Sequence, residues 1–364
     1  MAKQLRLSLR AWNRIAHRID HQGVNLSHLL RCAYWCTAAV HSCLFRIQHA
    51  SRLDAFDKVV PDPPIFVLGF WRSGTTLLHE LLCCDQRWGF PSTYACLNPT
   101  HFLLTESWVS RGKRQQQAVR PMDNMRFSWE SPQEDEFAML ALGAPSPYQA
   151  LIVPSLLRDP ESLLDLQSLP KDEQQCWVNT FCYFLQLLNL QQGKRMVLKS
   201  PTHGFRLPLL ASLLPGSRYI LIERNPYAVF ASNIKLWKTL LGMYGVETLS
   251  QEEIEQFVLG AYSLHEAAIR EAQSTLSPQV FTCVRYEALV GDPIAELAKL
   301  YDKMDFRDFE TVRPRIETYL SRTQGHVRNP IRLSLAQRER IDRSWGALIQ
   351  NKGYNWPANE VSVS

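Results

Sequence analysis

An α/β fold, an open parallel sheet flanked by helices with a helical extension ahead of it, is what this sequence predicts. Three observations point there. The run Ile65–Leu68 passes through a Gly-bounded turn straight into the helical pattern Leu77, Leu78, Leu81, Leu82, giving strand, tight loop and helix in series. Three later runs, Arg195–Leu198, Arg218–Ile222 and Val280–Val284, are short and apolar with little alternation, as strands buried on both faces of a parallel sheet are. Helical patterns over 172–190, 204–214, 226–240 and 251–274 lie among them, and alternating strands and helices wind into a sheet covered on both sides. Ligands of such folds bind at the strands' carboxyl ends.

Taken in order, residues 1–60 read as helices. They are closed by Val59–Pro64, whose Pro61, Pro63 and Pro64 cannot continue a helix. The α/β domain then spans 61–356, and 357–364 is a tail. Within the domain, 85–170 is rich in proline and aromatics with patchy periodicity, and reads as an insertion forming a lid or acceptor pocket. Arg6, Arg10, Arg14 and Arg18 recur every fourth residue with Leu9, Trp12, Ile15 and Ile19 as an apolar counterpart. That pattern fits a solvated helix face, a peripheral contact with an anionic membrane surface or an organelle presequence. The apolar segment Cys32–Leu44 is too short for the ~20 residues of a membrane span and reads as a core helix.

The 364 residues are 46% hydrophobic, ample for a core. Four of the five net positive charges fall in the first twenty residues, so the remainder is nearly neutral, which argues against a nucleic-acid binder. The nine cysteines are scattered without a CxxC pair, and no secretory signal precedes them. A reduced, cytoplasmic protein with buried thiols and no structural metal is the expectation.

Chemistry enters at the first loop. Gly69 and Gly74 have the spacing of a Walker A loop, but Thr75 stands where that loop carries its lysine, and the cation lies upstream at Arg72. The strand–loop–helix still aims backbone N–H groups and a helix dipole at one spot, a P-loop-like anion cradle built for something other than Mg-ATP. A second site follows the strand Arg218–Ile222. Asn225 is a good N-cap and Pro226 a good first helical residue, with Arg224 at the strand end and Ser232 two turns into the helix. A capped βα junction explains Asn225-Pro226; it does not explain Arg224.

With two anion sites on neighbouring strand ends, the chain resembles the sulfotransferases that use 3′-phosphoadenosine 5′-phosphosulfate (PAPS). Arg72-Ser-Gly-Thr-Thr76 resembles their 5′-phosphosulfate loop, and Arg224 with Ser232 their 3′-phosphate pair. Val197–Pro201, Val284–Pro293 and Gly325–Pro330 are similar to further family segments, so the likeness spans roughly 60–355. Arg72, where the cytosolic branch carries lysine, and the Lys-Ser-Pro segment are most similar to the bacterial and tyrosylprotein-type branch.

The resemblance implies that Arg72, Ser73, Gly74, Thr75 and Thr76 hold the 5′ end of PAPS. It gives Arg224 and Ser232 to the 3′-phosphate, with Arg328 closing over it, and Tyr286 to the cofactor site, with 3′,5′-adenosine bisphosphate (PAP) as product and no metal. Lys199, directly after a strand, would reach the transferring group. A hydroxyl or amine acceptor needs a base. Glu134 in Trp129–Glu136 is the first choice, with Glu136 and His101 as alternatives. Ser131 and Glu134 could instead form a capping box with Pro132 at the first helical position. His79 fits a packing role, and Phe70, Trp71, Phe127 and Trp129 could line an acceptor pocket or serve as core. The rival readings are a P-loop small-molecule kinase, which Thr75 opposes, and a nucleotide-binding module without chemistry.

Overall fold

The computed structural model describes residues 6–21, 28–52, 61–113, 118–119, 126–323, 331–357 and 361–363. Two helices, α1 (Leu9–His21) and α2 (His28–Ala50), precede the sheet. Then come β1 (Ile65–Leu68), α3 (Thr75–Leu82), β2 (Trp88–Gly89), α4 (Thr93–Leu97), α5 (Phe102–Lys113), the short pair β3 (Ala118–Val119) and β4 (Arg126–Phe127), and α6 (Glu136–Leu142). After 3-10 turns at Pro147–Leu151 and Pro154–Arg158 follow α7 (Pro160–Leu164), α8 (Lys171–Gln192), β5 (Arg195–Lys199), α9 (Leu207–Leu213), β6 (Arg218–Glu223), α10 (Pro226–Tyr244) and α11 (Gln251–Thr275). The chain continues through β7 (Phe281–Arg285), α12 (Tyr286–Gly291), α13 (Pro293–Lys303), α14 (Phe309–Thr323), β8 (Ile331–Leu333), α15 (Leu335–Asn351) and β9 (Val361–Val363).

The main sheet has five strands in the order β2-β5-β1-β6-β7, all pairs parallel. The two neighbours of β1 both come later in the chain, so the strand order reverses there, the place where open α/β sheets bind ligands. Register fixes what meets at that end. Val67 pairs with Lys199 on one side and Ile220 on the other, and Glu223 pairs with Arg285. All of β1 is buried, as its unbroken apolar run requires. The helical readings over 172–190, 226–240 and 251–274 match α8, α10 and α11. The reading over 204–214 splits into a 3-10 turn at Pro201–Arg206 and α9, because Pro208 suits a helix's first turn and not its interior.

The packing bears on three expectations. The insertion over 85–170 supplies the edge strand β2 and the buried helix α6, whose Ala138, Met139 and Ala141 are wholly inaccessible. The segment Cys32–Leu44 does form a helix, within α2, but it is not core. Tyr34, Trp35 and Val40 are half or more exposed, and Cys32, Cys36 and Cys43 are exposed thiols, not buried ones. No helix among the described residues is long and apolar enough to cross a membrane. Finally, α1 turns Ala11, Trp12, Ile15 and Ile19 into the core, and Arg14 is tied down by Glu173 at 2.8 Å and the Gly143 carbonyl at 3.3 Å.

Candidate active site

The loop after β1 is shaped by three residues in left-handed or otherwise glycine-like backbone. Gly69 has φ 150°, and a Cβ there would stand 2.8 Å from the Ile222 carbonyl, so only glycine lets β1 and β6 approach so closely. Arg72 takes φ 70°, uncommon for a side chain of its size. Gly74, at φ 105°, is the residue from which α3 springs, and a Cβ on it would overlap the Tyr286 ring. The turn closes through Ser73 N–H donating to the Phe70 carbonyl at 3.1 Å. Ser73 and Thr75 are buried, α3 has no acidic residue in its first turn, and Ser73 Oγ has no hydrogen-bond partner among the described residues. A buried hydroxyl at a helix N-terminus of this polarity fits an anionic oxygen.

Side chains predicted from separate segments meet around this loop. Arg72 Nε donates to Ser232 Oγ at 2.9 Å, across 160 residues of sequence. Arg224 donates to the Arg72 carbonyl at 3.3 Å, and its guanidinium lies 4.4 Å from the centroid of the Tyr286 ring. The junction is held by Asn225, whose Oδ1 caps α10 by accepting from Tyr227 N–H at 3.1 Å and whose backbone N–H donates to Glu287 of α12 at 2.9 Å. Arg72, Ser73, Gly74, Thr75, Arg224, Ser232 and Tyr286 therefore line one cradle. Thr76 follows on α3. Arg328 and the segment Gly325–Pro330 lie outside the described residues.

Beside the cradle, at the end of β5, Lys199 Nζ donates to Glu134 Oε1 at 2.8 Å; the lysine side chain is 2% exposed and the glutamate 16%. The other Glu134 oxygen accepts from the Tyr148 hydroxyl, which in turn accepts from Trp71 Nε1 at 3.3 Å. Burial, reinforced by the Glu134 charge, holds the Tyr148 phenol well above its ordinary range, so it stays a donor. Sequence reasoning missed Tyr148. It sits on a 3-10 turn started by Ser146 and Pro147, and that local signal announces a turn without saying where the phenol goes.

The capping box at Ser131 does not form. Ser131 Oγ instead accepts from Ser128 N–H at 2.9 Å, its carbonyl takes Thr93 N–H, and Pro132 bridges to Ser92. The extended stretch delays the helix to Glu136 and frees Glu134 to face Lys199.

Glu136, the alternative base, points elsewhere. It is fully buried and accepts from Thr202 Oγ1 at 2.6 Å and from Arg206 at 2.7 and 3.3 Å, with Arg206 lying over Trp177 at 4.7 Å. A carboxylate so fixed positions the chain around Glu134. His101 is bonded to Thr105 at 2.8 Å and stacked on His41 of α2, in the packing of the helical extension. His79 is core, its Nε2 3.1 Å from the Val197 carbonyl; burial lowers its pKa to about 3. Phe70 and Trp71 are likewise core, packed edge-on to Tyr262 and Trp237, although Trp71 also reaches Tyr148. Trp129 packs edge-on to Tyr94, and the Phe127 side chain lies outside the described residues.

The profile of the Sulfotransferase family matches residues 63–310. The chain belongs to that family. It is 38% identical over 325 residues, 88% of this chain and 83% of the relative, to the omega-hydroxy-beta-dihydromenaquinone-9 sulfotransferase Stf3 of Mycobacterium bovis, and equally to that of Mycobacterium tuberculosis. Among solved structures, sulfotransferase STF9 from Mycobacterium avium superposes with a TM-score of 0.72 at 18% identity, covering 97% of this chain and 93% of that one. Sulfotransferase STF1 from Mycobacterium tuberculosis follows with a TM-score of 0.53 at 18% identity, over 85% and 87% of the two chains. The fold is thus a sulfotransferase fold, and this chain is a sulfotransferase enzyme; the kinase reading and the reading as a module without chemistry are set aside.

Proposed function

We propose that this sulfotransferase moves the sulfuryl group of PAPS to a hydroxyl borne by an apolar, lipid-like acceptor, by in-line displacement without a metal. The observation that carries the reading is the meeting of Lys199 with Glu134 beside a loop that also gathers Arg72, Arg224 and Ser232. The cradle fits a nucleotide carrying anions at both ends: it offers a buried Ser73 hydroxyl with no partner among the described residues, a helix N-terminus and two guanidinium groups. Arg72 and the N–H groups of Ser73–Thr76 would hold the 5′ end, and Arg224 with Ser232 the 3′-phosphate.

When bound, the donor supplies an activated sulfuryl group on a leaving phosphate. The rest falls to the chain. Lys199 has three N–H donors; Glu134 takes one, leaving the others for charge that grows during transfer. Glu134 retains lone pairs on both oxygens and accepts the acceptor's proton, while Tyr148 and Lys199 hold it in register. The lipid-like acceptor is supported by the dihydromenaquinone named for the 38% identical relative.

Titration with PAP in EDTA, with 5′-AMP as control, tests the donor site. Binding that needs the 3′-phosphate but no metal is expected. Arg224→Ala should weaken it by about 1.5–3 kcal/mol, the worth of a charged hydrogen bond. Equal binding of PAP and 5′-AMP would overturn the assignment.

A further inference from the structure

Function and the donor site leave one large feature unused, the outward face of α2. Leu29 is 81% exposed, Val40 58% and Ile47 51%. At eleven and then seven residues apart they fall on a single stripe of the helix. Trp35 is 52% exposed on the same helix, and Trp108 is 79% exposed on α5, whose start is docked on α2 by Gln48 accepting from Leu103 N–H at 3.0 Å. Single exposed apolar residues are ordinary; a helix that shows a stripe of them, with one exposed tryptophan on its flank and another on the helix docked against it, is not.

Charge says what covers this face. The 23 residues of α2 contain no Asp or Glu, and α1 and α2 together carry five arginines against the single acid Asp20; with Arg31 paired to Asp20 and Arg14 to Glu173, Arg10, Arg18 and Arg46 make the excess positive charge. A protein partner of mixed charge would need acidic counterparts across the rim, whereas an apolar stripe with tryptophans and a basic surround matches the headgroup boundary of an anionic bilayer. The membrane contact suggested by the arginines of α1 thus moves to α2, because α1 spends its own apolar side on the core.

The helical extension is joined to the far end of a helix that the site uses. Ser8 N–H donates to the Ala141 carbonyl at 2.9 Å and Arg14 to the Gly143 carbonyl at 3.3 Å, so the helical extension is fastened to α6. That is the helix that begins two residues after Glu134.

We infer that the exposed face of α2, with Trp108, docks the protein on an anionic phospholipid surface, setting the acceptor side of the active site against the bilayer from which a lipid alcohol is drawn. The acceptor clause rests on the function proposed above; the docking itself stands on α2.

The test is co-sedimentation of the full chain with vesicles of phosphatidylcholine alone and of phosphatidylcholine with 30% phosphatidylglycerol, at low and high salt. We expect binding to the anionic vesicles at least tenfold above that to the neutral ones. We also expect at least a tenfold loss in the triple variant Leu29→Ser, Val40→Ser, Ile47→Ser. PAP titration of the same variant should be unchanged, which shows that it is folded and separates failure of docking from failure of the donor site. Binding of the wild type to neither vesicle, or equal binding of the wild type and a folded triple variant, overturns the inference. So does a sedimentation-velocity dimer that the variant dissociates while vesicle binding is absent, since the face then joins two copies. Lys235→Ser with Lys238→Ser, on a basic groove of α10 lined also by Arg332, should leave vesicle binding within twofold; loss there in place of α2 also overturns it.

Discussion

Replacing Glu134 with glutamine tests the chemistry with little change of shape. The amide oxygen must face Lys199, because an ammonium cannot accept. The NH2 group then faces Tyr148, whose hydroxyl can rotate to accept it. Both contacts survive in form, and the carboxylate's charge and basicity are lost. Breaking a buried ion pair by removing one partner costs about 3–5 kcal/mol. Here the glutamate side chain is 16% exposed and glutamine keeps a hydrogen bond, so the loss of stability should be nearer 2 kcal/mol. Turnover should fall much further: loss of a general base costs roughly 10²–10⁴ in rate, about 3–5 kcal/mol of barrier. The assay is turnover at saturating donor and acceptor well below the melting temperature, with PAP affinity measured alongside. Lys199→Met should also slow turnover, and the double variant should be little worse than the poorer single one if the pair acts as a unit. A folded Glu134→Gln enzyme turning over within threefold of wild type would refute the assignment of the base.

Glu136→Gln should act in the opposite sense. By leaving Arg206 buried without its carboxylate it should destabilise by about 3 kcal/mol or more, yet the folded fraction should turn over normally, as unfolding curves and active-site-normalised rates would show. Gly74→Ala combines φ 105° with a Cβ inside the Tyr286 ring; a loss of about 2 kcal/mol in stability is expected, with PAP affinity falling at least tenfold by calorimetry. Acidification should weaken the fold through His79. Its pKa is lowered from 6.5 to about 3 by burial, so between those values the unfolded chain binds a proton that the native chain does not. Stability is therefore full above about pH 6.5 and declines as pH falls, by about 2 kcal/mol at pH 5. A His79→Gln variant should show a shallower decline in denaturant midpoints across pH 7 to 5, and an unchanged slope would remove His79 as the cause.

The sheet could be read in the sequence because its strands are buried on both faces. Ile65–Leu68 and Arg218–Glu223 are apolar by necessity, and Gly69, Gly74, Asn225 and Pro226 are dictated by local backbone geometry that leaves its mark on neighbouring positions. The loop geometry was legible for the same reason: Arg72 and Arg224 each stand between a strand end and a helix. What the sequence could not supply was anything fixed by contact across the chain. Ser131-Pro132 spells a capping box locally, and only the pairing of this stretch with Ser92 and Thr93 undoes it, turning Glu134 toward Lys199. Glu134 and Glu136 are two residues apart and equally acidic. Tertiary packing alone gives one to Lys199 and Tyr148 and the other to Arg206 and Thr202. Tyr148 and the exposed stripe of α2 belong to the same class, since periodicity shows that a side is apolar and not whether another part of the chain covers it. The sequence by itself thus determined four of the five strands of the main sheet, the glycine-bounded loop, the capped βα junction and the family. Tertiary structure decided which carboxylate faces Lys199 and which apolar face remains outside, because both depend on residues far apart in sequence being brought within a few ångströms.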